Sequence, residues 1–262
     1  ALIVKFNQYE HYIVWIATIA ITAMMIYIYR SVGTIARKRL LVTAYFTILM
    51  ALFWAIFEQA GSSLTLFADR NINLVGLNAA QTNSINSEFI ILLAIPFSWL
   101  WTVLIRKKKN PNSAIKAGLG LFLLGLGFIV FAMSANSVDS FAKTPMWSFF
   151  VGYFILTVGE LCISPIGLSK MTELSPKKYL AFVMGVFFSA SFYGHFFAGK
   201  IAKLTTVSEE ENMFASGIFG QITETITGLT STFSGSNQAA FEQLYQYVSV
   251  YAVFGVLTAV AP

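Results

Sequence analysis

Charge is scarce in this sequence. Asp, Glu, Lys and Arg make up only 11 % of its 262 residues, while apolar residues make up 56 % and the mean hydropathy is +0.69. Soluble domains carry about 25 % charged residues, so a water-soluble globule of this length would lack the charge to cover its surface. Cysteine is nearly absent too. The one thiol, Cys162, rules out an internal disulfide framework. There is no HExxH, CxxC, Walker loop or GxSxG, so the chain lacks the motifs of zinc hydrolysis, dithiol redox, phosphate cradling and the nucleophile elbow. Nothing points to an enzyme, and no cofactor is expected. A cleavable signal peptide is not evident, because the first apolar run is already of spanning length. The chain opens on Ala1 and closes at Pro262 within an apolar run, which leads us to expect a piece of a longer protein.

What the sequence has in quantity is long apolar runs. Seven spans read near 11–30, 39–66, 84–105, 114–134, 145–169, 179–203 and 243–262. Each holds roughly 20 residues or more, as a hydrocarbon core about 30 Å thick requires of a helix. Barrel strands alternate over about ten residues, so the expected fold is all-α, a polytopic membrane protein. The net charge of +5 could point to nucleic acid, but its placement does not. Twelve of the 17 basic residues fall in alternate loops: Arg30 to Arg39, Arg106 to Lys116, and Lys170 to Lys178. The positive-inside rule puts those loops in the cytoplasm and with them the C-terminal end. A membrane is the expected location, the lipid bilayer is a partner, and nucleic acid is not. The loop over about 204–242, with Glu209, Glu210 and Glu211, should lie outside and hold one short amphipathic helix. Gly118, Gly120, Gly125 and Gly127 stud the fourth span at seven-residue spacing, which predicts close helix packing.

Acids within a bilayer are costly and usually functional. Glu160 sits in VGELCISPIGLSK, ten residues before Lys170, about 15 Å at helical rise and so near the midplane. Ser164 shares its face at i+4, and Pro165 predicts a kink. Such a carboxylate suits a cavity that binds an ammonium group or a proton; otherwise it is a neutral acid joining two helices by hydrogen bonds. Glu58, in LFWAIFEQAGSSLTLFADR, has Trp54 four residues earlier on its face. It is either a proton-loading group or half of a structural ion pair. Glu88 and nearby Asn86, in TNSINSEFIILL, mark the outer mouth of the third span, where an acid is ordinary. His195, in FYGHFFAGK, reads more simply as a packed or hydrogen-bonded residue than as a proton relay.

FWAIFEQAGSSLTLFADRN and GELCISPIGLSKMTELSPKKYLAFVMG resemble the seventh helix and the tenth-to-eleventh helix region of proton-dependent oligopeptide transporters of the major facilitator superfamily. The resemblance covers about residues 39–262. It implies a division into a leading fragment (1–10), an accessory transmembrane helix with its basic loop (11–38) and a C-terminal six-helix bundle (39–262). The opening ALIVKF resembles the end of the family's first helix. The resemblance also implies roles. Glu160 would contact the amino end of a small peptide, with Ser164 a neighbouring pocket residue and Asn86 binding the peptide backbone or amino end. Trp54 and Phe57 would line the cavity and its outer gate. Phe187 would stand in the side-chain pocket, where relatives often have tryptophan. Glu58, with Glu160, would couple transport to protons, which would serve as the coupling ion. The family's Asn-Pro is here Asn86-Ser87, and its ExxER motif and the cavity lysine and tyrosines of its first six helices have no counterpart.

The implied function is proton-coupled symport of di- and tripeptides, with this chain as the C-terminal half and an N-terminal six-helix half as partner. The alternatives are a truncated, non-transporting membrane protein acting as a scaffold, or a family member that moves another solute.

Overall fold

In hydrocarbon a backbone must satisfy its own hydrogen bonds, so apolar runs of this length become helices. The computed structural model describes residues 9–205, 216–230 and 237–260, and seven helical segments there are long and apolar enough to cross a membrane. The segment read as a leading fragment, save its last two residues, and Glu209 to Glu211 lie outside the described residues. The helices are α1 (Glu10–Ser31), α2 (Thr34–Phe57), α3 (Ser63–Asn71), α4 (Ala79–Thr82), α5 (Ser84–Arg106), α6 (Ser113–Met133), α7 (Met146–Leu174), α8 (Leu180–Leu204), α9 (Gly217–Thr227) and α10 (Gln238–Val260). Two short strands, β1 (Ile72–Asn73) and β2 (Thr144–Pro145), pair in parallel and tie the end of α3 to the start of α7. The amphipathic helix expected in the long loop is α9, which packs on α6 and α10 and ends at Gly228 in the left-handed region.

The run read as one span over 39–66 lies within one spanning segment, Thr34–Asn71, which is longer and is interrupted inside. It starts at Thr34, and α2 stops at Phe57. A 3-10 turn over Glu58–Gly61 follows before α3 resumes the path to Asn71. Polar side chains attend the break. The Ser62 hydroxyl donates to the Glu58 carbonyl, and that of Thr65 to the Ala60 carbonyl. Such back-bonds offer the chain an alternative to the helical ladder. In contrast, α7 runs unbroken through Pro165.

Glycine sets the tightest contacts. Helix α6 lies between α7 and α10. A Cβ on Gly120 would fall 3.0 Å from the Gly159 carbonyl oxygen of α7, and one on Gly125 would fall 2.5 Å from the Gly255 carbonyl oxygen of α10. Helix α8 meets α2 the same way, with Gly194 against Trp54. The core between these helices is aromatic: Phe67, Phe128, Phe131, Phe149, Tyr153 and Tyr251 are fully buried and form a chain of edge and tilted ring contacts.

Helix α1 stands apart from this bundle. Three polar contacts hold it along α8: Glu10 to Lys200 at 2.8 Å, Thr18 to the Tyr193 hydroxyl at 2.8 Å, and Ser31 to the Tyr179 hydroxyl at 3.2 Å. Steps along α1 are matched by steps back along α8 to within one residue, so the two helices run antiparallel. Between them and α2 lies an apolar space of about 630 Å³, lined by side chains such as Ile21, Met25, Leu41, Ile48 and Val186.

Candidate functional site

Helix α7 places Tyr153, Thr157, Glu160 and Ser164 at steps of three and four, hence along one side. Asn86, in the first turn of α5, reaches this side. Its Nδ2 donates to Glu160 Oε2 at 3.3 Å. Thr157 Oγ lies 2.7 Å from Asn86 Oδ1 and 2.8 Å from the Tyr153 carbonyl oxygen, so one hydroxyl proton serves two acceptors. The amide is thereby oriented. Its oxygen faces a hydroxyl donor, and its NH₂ faces the carboxylate. Among the described residues no other donor reaches Glu160. The carboxylate therefore retains acceptor capacity, which fits a cationic or N–H-bearing ligand.

The other predicted residues are placed as follows. Ser164 makes no hydrogen bond to Glu160, and its Oγ is buried without a partner. Trp54 and Phe57 form an edge-on pair at 5.5 Å, and Phe57 stacks on Phe53. Phe187 is buried with its ring against Gly167 of α7. Glu58 stands at the end of α2, at the helix break, 3.5 Å from Nε2 of His195. Glu58 also lies near enough for its charge to act on Glu160. The structure thus brings together Asn86 with Glu160, and Glu58 with His195. It does not bring Ser164 or Phe187 into hydrogen-bond or ring contact with either pair.

Two residues escaped the sequence reading. Thr157 orients Asn86. Gln59 braces the helix break: its Nε2 donates to the Ala55 and Ala198 carbonyls, and the Ser63 hydroxyl donates to its Oε1. His195, which the sequence had singled out, is hydrogen-bonded to the Ser191 carbonyl and also faces Glu58. The signals were present but weak. Thr157 is three residues before Glu160 on the same side, and Gly194 announces the close approach that carries His195 to α2.

The model of the POT family (PTR2) matches residues 4–223. The chain belongs to the POT family. Among its relatives, Peptide transporter YePEPT of Yersinia enterocolitica is 38 % identical over 199 residues, which is 72 % of this chain and 39 % of the relative. Dipeptide and tripeptide permease A of Proteus mirabilis is 27 % identical over 187 residues, 70 % of this chain and 38 % of the permease. Of solved structures, a peptide transporter POT in complex with sulfate superposes with a TM-score of 0.68 at 24 % identity, over 93 % of this chain and 44 % of that one. A POT family transporter in complex with 5-aminolevulinic acid gives 0.70 at 24 %, over 97 % and 47 %. At those identities the likeness is one of fold: the seven spanning helices are arranged as in solved POT transporters. The chain spans about two fifths of the length of the curated relatives named here.

Proposed function

We propose that this POT family chain supplies the peptide-amine site of a proton-coupled symporter of di- and tripeptides, working with an N-terminal six-helix bundle in a bacterial inner membrane. The observation that carries the reading is the Asn86–Glu160 pair, a carboxylate held by one oriented amide among apolar helices and left with acceptor capacity. A peptide ammonium has three N–H donors and a full positive charge, and it complements that site. An empty carboxylate in a poorly solvated place favours a proton or a partner, so protonation and peptide binding compete or cooperate at one position. The face with Asn86, Glu160, Glu58 and His195 is too polar for lipid. Against a second bundle it would line a water-filled cavity, and rocking of the two bundles about it would give alternating access.

The test is proton-driven uptake of a labelled dipeptide into liposomes holding this chain together with the N-terminal half of a related peptide transporter. Uptake that Glu160→Gln abolishes supports the reading. Uptake unchanged in Glu160→Gln, or no uptake from halves shown to be folded and associated, refutes it.

A further inference from the structure

We infer that Glu58 and His195 form a proton-sharing pair, built to hold one proton between the end of α2 and helix α8, with Ser191 fixing which ring nitrogen receives it. The inference concerns the same site as the symport reading and rests on that reading only for its purpose, not for its chemistry.

His195 Nδ1 lies 2.8 Å from the Ser191 carbonyl oxygen, one turn back on α8. A carbonyl oxygen only accepts, so Nδ1 carries a proton. In a neutral ring Nε2 is then a bare lone pair. That nitrogen is the one 3.5 Å from Glu58 Oε2. With Glu58 ionised and the ring neutral, two lone pairs face each other across this gap and nothing joins them. One added proton resolves the conflict in either of two ways. On Glu58, the carboxyl O–H points at Nε2. On His195, the Nε2–H of an imidazolium points at the carboxylate. Transfer between the two breaks one O–H bond and makes one N–H bond, with no other group involved. The separation exceeds that of a formed hydrogen bond by about half an ångström, a distance small side-chain rotations close.

Within the described residues, few charged groups stand near this pair. Among the described residues, Glu58 is the one acidic group within ion-pair distance of His195. Helix α8 also carries Tyr193, bonded to Thr18 of α1, and Lys200, paired with Glu10 of α1. At about 100° per residue, His195 lies about 200° round α8 from Tyr193, on the side away from α1. Lys203 stands two turns further along. On α7, the ionisable neighbour is Glu160, on which the charge of Glu58 acts. The His195 side chain is 60 % exposed and that of Glu58 is part-buried at 28 %, so water or a second bundle could deliver the proton.

The experiment is ¹⁵N NMR of the whole chain in lipid nanodiscs with labelled histidine, where His11→Asn leaves His195 as the single histidine. The expected result is a neutral ring protonated on Nδ1, with a bare Nε2 facing Glu58. In Glu58→Gln, the Nε2 signal should shift, because an amide rather than a carboxyl group then faces that lone pair, while Nδ1 stays protonated. A neutral ring protonated on Nε2, or the same Nε2 signal in both variants, overturns the proposal. Ser191→Ala keeps the carbonyl and should keep the tautomer, which guards against a variant that merely unfolds. None of these readings uses uptake. A failure of the symport reading would leave the NMR result standing, and a failure of the pair would leave Glu160-dependent uptake untouched.

Discussion

Gly125 gives the sharpest test of the packing that positions the site. Adding one methyl there, Gly125→Ala, puts a carbon 2.5 Å from the Gly255 carbonyl oxygen, 2.6 Å from the Ala259 nitrogen and 2.7 Å from the Thr258 hydroxyl. Carbon needs about 3.5 Å or more from such neighbours. Two of the three are backbone atoms and cannot swing aside, so α6 and α10 must separate. Overpacking of this kind costs about 1–3 kcal/mol. The same change at Gly185, on α8, meets nothing within 4 Å and should be neutral or stabilising by up to ~1 kcal/mol, because alanine is the better helix former. Unfolding in mixed detergent micelles, followed by tryptophan fluorescence, measures both. If Gly125→Ala proved as stable as Gly185→Ala, the contact between α6 and α10 described above would be wrong.

Three further outcomes are expected. Asn86→Ala should weaken dipeptide affinity of the two-half carrier by about 2- to 10-fold, the worth of one hydrogen bond of ~0.5–1.5 kcal/mol, read as the half-saturating concentration for uptake. Gln59→Ala removes three hydrogen bonds at the helix break and should lower stability by about 1–2 kcal/mol in the same micelle assay. A double-mutant cycle of Glu10→Ala with Lys200→Ala should give a small coupling that shrinks with added salt, since both side chains are partly exposed.

Much of the architecture was legible. Apolar run length gave seven spans because hydrocarbon thickness dictates it, and the glycines of α6 announced tight packing that the contacts of Gly120 and Gly125 display. Glu160 was found from its depth alone. The break at Glu58 was not, because the Ser and Thr back-bonds that accompany it read on paper as mere polar residues in an apolar run. The partners were not legible either. Which residue of α8 faces Glu58, and which of α5 faces Glu160, depends on the register between helices, and periodicity within one helix is silent on that. Ser164 shows the same limit in reverse. Its i+4 spacing put it on the correct side of α7, yet its hydroxyl is buried and unpaired.

The space beside α1 has a mechanical consequence. Helix α8 has a hard flank, where Gly194 abuts Trp54, and a soft one, where about 630 Å³ of apolar volume separates it from α1. Open apolar volume resists displacement far less than close-packed side chains do. Under load α8 therefore yields toward α1, while the polar ties at both ends of α1 act as elastic tethers that bring it back.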